Sequence, residues 1–242
     1  MVLINHGMTS EPDERHDMRP DDMIPQALQF VRRGWAALIP MRRDYGKSGG
    51  HFAEDISNQG CGTMGFEDEG RAAAEDLKEA IRLVADKPYL DMSKVVSIGV
   101  SGGGFATVAL TADAPPNLVA AVSFAGGEGS SEQGMYCSFT ELVQAFANYG
   151  RHSRVPMLWI YAENDHFFGP RLARDFAAAF DNAGGHARLI VTPPFGDEGH
   201  YLFGRAGIPI WTKYVDEFLG GLHLTQAPTA EPKVDGESAK AP

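Results

Sequence analysis

Three residue types that together make a hydroxyl reactive occur in one order along the chain. Ser101 stands within Gly99-Val100-Ser101-Gly102-Gly103, between the β-branched run VVSIGV and the small-residue helical pattern FATVALTA. A serine hydroxyl is a poor nucleophile near its free pKa and requires a base that is itself oriented by a carboxylate. Asp165 in WIYAENDHFF and His200 in PPFGDEGHYLF can supply that pair, each just past an apolar run. Serine, then acid, then histidine is the order of the strand-turn-helix arrangement in which G-x-S-x-G holds its serine strained and exposed. The two glycines answer a steric demand, because strand and returning helix come too close there for side chains.

Other assignments compete with these. Ser48 in GKSGG also fits G-x-S-x-G, but it is followed by the polar HFAEDISNQG and reads as a loop residue. Gly99 and Gly104 have the spacing of a phosphate-binding loop, yet Phe105 stands where the lysine should be. Counting a dinucleotide fingerprint from Gly102 through Gly104 reaches Thr107 instead of glycine. His166 is the rival base, although it adjoins Asp165 and is badly placed to face it. Glu163, Asp197 and Glu198 remain rival carboxylates or solvated loop charges. An oxyanion formed on attack needs preorganised amides. Gly102, next to the serine, offers one, and Met8 in LINHGMTSE, directly after an apolar run, offers the second.

The elements that must position these residues follow from periodicity. Short apolar runs at 2–5, 36–40, 95–100, 118–124, 156–162 and 187–192 suit strands buried on both faces of a parallel sheet. Between them, segments 21–34, 65–86, 169–185 and 208–222 carry apolar residues at three and four spacing, two of them stopping at Gly34 and Gly184. This alternation predicts an α/β fold with helices on both faces of a mostly parallel sheet. Both the Asp165 and the His200 loop then leave the carboxyl edge that also carries Ser101.

Composition bounds the partners. The 242 residues, 43% of them hydrophobic, suffice for one domain. A net charge of −11 argues against a nucleic-acid partner, which is gripped by clustered lysine and arginine. No apolar run approaches the ~18 to 20 residues of a membrane span, and MVLINHGMTS lacks the features of an export signal. A cytoplasmic location is therefore the default. Cys61 and Cys137 form no CxxC, and the triad chemistry asks for neither metal nor cofactor. From His223 the chain is aperiodic and rich in proline, alanine and charge, which predicts a disordered tail over 223–242 after a catalytic unit over 1–222.

NHG, RRDYGKSGG, GVSGGG, YAENDHFF and GDEGHYLF occur in an order that resembles the α/β-hydrolase superfamily, and within it the dienelactone-hydrolase-like serine esterases, over about residues 2–221. The resemblance implies a Ser101, Asp165, His200 triad hydrolysing a carboxylic ester through an acyl-enzyme. Two departures stand out. Dienelactone hydrolases proper carry cysteine where this chain has Ser101, which argues against dienelactone itself. The family sheet also opens with two strands before the HG strand, which here begins at residue 2, so the resemblance implies either a minimal enzyme without those two strands or an upstream part missing from the chain as given. AALIP then becomes a sheet edge and a surface for homo-oligomer pairing. Cys61 and Cys137 fall in loops on the active-site edge, either as two thiols or as a disulfide; the latter, with an upstream segment, would place the protein in the periplasm or outside the cell.

Phe105, Met135, Tyr136, Phe167, Phe168 and Tyr201 are the expected pocket residues, favouring a small to medium apolar or aromatic acyl or alcohol group. The long interruption 125–155 is expected to form a short cap over the site or a simple surface excursion. A serine peptidase or a thioesterase would use the same triad, and a non-catalytic binding module would need none.

Overall fold

The computed structural model describes residues 1–9, 11–54, 65–132, 135–136 and 138–225. All six apolar runs are strands of one parallel sheet: β1 (Val2–Asn5), β2 (Ala37–Leu38), β3 (Val95–Val100), β4 (Leu118–Phe124), β7 (Met157–Ala162) and β8 (Ala187–Thr192), in the order β2-β1-β3-β4-β7-β8. A short antiparallel pair, β5 (Ser130–Glu132) and β6 (Met135–Tyr136), stands apart. As anticipated, β2 is an edge strand.

Side chains alternate between the two faces of the sheet. Met157, Trp159 and Tyr161 of β7 point into one core, and Leu158, Ile160 and Ala162 into the other. The first core is closed by α3 (Phe66–Val84), α4 (Gly102–Ala112), α5 (Phe139–His152) and α6 (Pro170–Asn182). The second is closed by α2 (Ile24–Val31) and α7 (Ile208–Gly221), with Phe30 and Trp211 at its centre. A short α1 (Pro12–Asp17) lies between β1 and α2. Two cores on opposite faces explain why the strands read as continuous apolar runs.

The interval 125–155 departs from the expected cap. Its larger part is α5, whose Leu142, Ala145, Phe146 and Tyr149 are buried in the first core, so it belongs to the helical layer over the sheet. Among the described residues of the interval, 127–130 border the site. The tail beyond Thr225 lies outside the described residues. No helix among those described is long and apolar enough to cross a membrane.

The chain crosses to β2 on one side of β1 and to β3 on the other, so a crevice opens at the carboxyl ends of β1 and β3. The core sets the stability of this frame. Ile160→Ala, at 1% exposure, is expected to cost ~2–5 kcal/mol, whereas Leu83→Ala, at 58%, should stay within ~0.5 kcal/mol. Urea unfolding of both variants checks the contrast.

Candidate active site

The turn from β3 into α4 is as tight as its glycines require. A Cβ on Gly99 would lie 2.0 Å from the Gly103 carbonyl oxygen, and one on Gly103 would lie 2.1 Å from that of His6. Between them Ser101 is held at φ 55° and ψ −127°, a conformation that L residues rarely adopt. The surroundings enforce it: Ser101 N–H donates to Phe124 O at 2.9 Å, and Ser101 O accepts from Phe105 N–H at 2.9 Å.

Asp165 and His200 meet across the loops that follow β7 and β8. The His200 Nδ1 to Asp165 Oδ2 distance is 3.3 Å, and both side chains are almost fully buried. Asp165 Oδ1 accepts from the amides of Phe167 and Phe168 at 2.9 and 2.8 Å, which fixes the carboxylate plane. The His200 ring lies beside Phe167, with centroids 4.5 Å apart.

The rival residues have other partners. Glu198 Oε1 accepts from the amides of His166 and His200, at 3.1 and 3.0 Å, and its Oε2 lies 3.0 Å from His166 Nδ1. Glu198 thereby ties the Asp165 loop to the His200 loop. Burial alone would push its carboxyl up, yet these donors hold it below the ordinary value. Ser48 Oγ donates to Met41 O at 2.8 Å, away from this pocket.

The loop after β1 is braced by a buried charge. Arg42, fully buried, makes two bonds to Glu54 at 2.5 and 2.9 Å and donates to His6 O at 2.8 Å and Gly7 O at 3.3 Å. The Arg42 amide donates to His6 Nε2 at 3.2 Å, so the ring proton sits on Nδ1 and is donated to Gly7 O at 2.7 Å. With the Gly7 carbonyl anchored on that side, the N–H of the same trans peptide, that of Met8, points the opposite way. Met8, Ser101 and Gly102 line one pocket, and a Cβ on Gly102 would lie 3.2 Å from Met8 N.

That pocket holds about 340 Å³, within the range of small-molecule sites. Phe167, Phe168 and Tyr201 line it. Phe105 does not: it is fully buried against Phe146 and Tyr149 in the first core, because α4 turns that face toward α5. The side chains of Met135 and Tyr136, and all of Cys61 and Cys137, lie outside the described residues. Sequence reasoning missed Met23, Gln26 and Glu128, which line the pocket, and the roles of Arg42 and Glu54. Only the RRDYG spelling around Arg42 hinted at them. Among the described residues, no group of three or more His, Cys, Asp and Glu side chains could hold a metal ion.

The model of the dienelactone hydrolase family matches residues 18–200, about three quarters of the chain. The chain belongs to that family. No curated protein matches it. Among solved structures, an esterase from Pyrococcus furiosus is similar at 20% identity and TM-score 0.59, over 91% of this chain and 81% of the other. Esterase 2 of Thermogutta terrifontis, phosphorylated by paraoxon, aligns at 20% identity and TM-score 0.61, over 94% of this chain and 84% of its own. The propionate-bound form of the Thermogutta esterase aligns at 20% identity and TM-score 0.60, over 95% and 85%. At these identities the likeness speaks to fold.

Burial, reinforced by Arg42, holds the His6 imidazole well below its ordinary 6.5. The folded protein keeps it neutral where the unfolded chain binds a proton, so stability rises with pH up to the unfolded value and falls below it. Between pH 6.5 and 5.5 the wild type should lose up to ~1 kcal/mol that His6→Asn does not. Urea midpoints across this range provide the measurement, and equal slopes would contradict the assignment.

Proposed function

We propose that the protein is a serine esterase in which Ser101 is the nucleophile, His200 the general base and acid, and Asp165 the group that holds the imidazole. The observation that carries this reading is the Asp165–His200 contact in the wall of the pocket that the strained Ser101 also lines. His200 takes the Ser101 proton as Oγ attacks the ester carbonyl, then returns it to the departing alcohol. Water follows the same route: His200 removes its proton, the hydroxide attacks the acyl carbon, and Ser101 leaves with its proton restored. The amides of Gly102 and Met8 are the donors for the oxyanion in both stages.

The aromatic lining favours a small to medium ester, and the proton passes between Ser101, His200, the departing alcohol and water. Serine at position 101, where the family resemblance implies cysteine for dienelactone hydrolases proper, favours a carboxylic ester over dienelactone. That one structural neighbour is an esterase phosphorylated by paraoxon supports the assignment.

Ser101→Ala should lower kcat on p-nitrophenyl butyrate by at least ~10³-fold, and Asp165→Asn by ~10²- to 10⁴-fold, both without loss of fold. Kinetics and thermal melts of the two variants test this. Wild-type rates in folded Ser101→Ala would refute the assignment.

A further inference from the structure

The pocket is not uniformly apolar. Gln26, from α2, and Glu128, from the loop after β4, both line it, with exposures of only 6% and 3%. Gln26 Nε2 donates to Phe203 O at 3.1 Å, which fixes the amide, since the swapped orientation would set two carbonyl oxygens against each other. Gln26 Oε1 is consequently a committed acceptor, and it has no hydrogen-bond partner among the described residues. Glu128 Oε1 is likewise buried and unpartnered.

The Glu128 environment decides what it offers. Burial pushes its carboxyl well above the ordinary range, repulsion from Glu54 and Glu69 adds to this, and Arg42 opposes it. A neutral carboxylic acid both donates and accepts, as a hydroxyl does. Buried polar groups are normally satisfied, and a pocket that leaves two unmet discriminates against ligands that cannot satisfy them.

We propose that the ester bound here is hydroxylated, one hydroxyl donating to Gln26 Oε1 and another pairing with Glu128, so that the pocket selects it over a plain alkyl ester of equal size. This rests on the esterase reading and names its substrate class. Phe167, Phe168 and Phe203 would pack the carbon skeleton between these two polar points.

Two matched pairs test it in the full chain. Glyceryl monobutyrate against propyl butyrate probes the alcohol side, and p-nitrophenyl 3-hydroxybutyrate against p-nitrophenyl butyrate probes the acyl side. The wild type should favour the hydroxylated member of at least one pair by about tenfold or more in kcat/KM. Gln26→Leu and Glu128→Leu should each bring that ratio toward one, while Glu128→Gln, which still donates and accepts, should restore much of it. Should Glu128→Leu fail to fold, the wild-type ratio and Gln26→Leu decide. Ratios at or below one in both pairs would overturn the proposal, as would ratios untouched by the leucine variants. A preference for butyrylcholine over both hydroxylated esters would overturn it in favour of a cation site. Inactivation by paraoxon without turnover of the hydroxylated esters would overturn it while sparing the nucleophile. No turnover and no inactivation would remove the esterase reading and this inference together.

Discussion

The close approach of α4 to β1 and β3 is the constraint on which the rest of the site depends. Gly103 packs against the His6 and Asn5 carbonyls, and Gly99 against Gly103, so the helix starts directly over the ends of β1 and β3. Asn5 pairs in register with Gly99, and its side chain donates to Ser97 Oγ and Thr107 Oγ1 at 3.0 and 2.7 Å, tying β1, β3 and α4 together beneath the turn. The strain at Ser101, of order 1–3 kcal/mol, persists because these surroundings over-determine the backbone.

Buried charge is used here to aim backbone groups. Bringing Arg42 and Glu54 out of water is costly, and such a pair is weak evidence for stability. Its geometry points instead to preorganisation: with His6 it anchors the Gly7 carbonyl and so directs the Met8 amide. Glu198 plays a parallel part across the pocket, where one carboxylate collects amides from both the Asp165 and His200 loops. A fixed environment of this kind needs no reorganisation when charge develops on a bound carbonyl.

How much was legible in the sequence follows from how local each feature is. All six strands of the sheet were readable: β1, β3, β4 and β7, buried on both faces, leave uninterrupted apolar runs, and the part-buried edge strands β2 and β8 leave shorter or interrupted ones. The convergence of the loops after β1, β3, β7 and β8 follows from strand-helix alternation. The helix α5 was passed over, although Leu142, Ala145, Phe146 and Tyr149 carry its period, because the glycine- and serine-rich start of 125–155 reads as a loop. Phe105 shows the opposite limit: a phenylalanine beside the serine reads equally well as pocket or core, and helix packing decides. Gln26, Arg42 and Glu128 were invisible as site residues because their roles exist only through partners distant in the chain. Met8 was nameable only as a position, since its amide direction depends on what holds the preceding carbonyl.

The central claim is that the strained hydroxyl of Ser101 is the reacting atom. Its most direct test is to treat the full-length protein with paraoxon and locate the adduct by peptide mass spectrometry. A single diethylphosphoryl group on Ser101, with parallel loss of esterase activity, is the predicted result. An adduct on Ser48 or elsewhere, or activity that survives stoichiometric labelling of Ser101, would contradict the account.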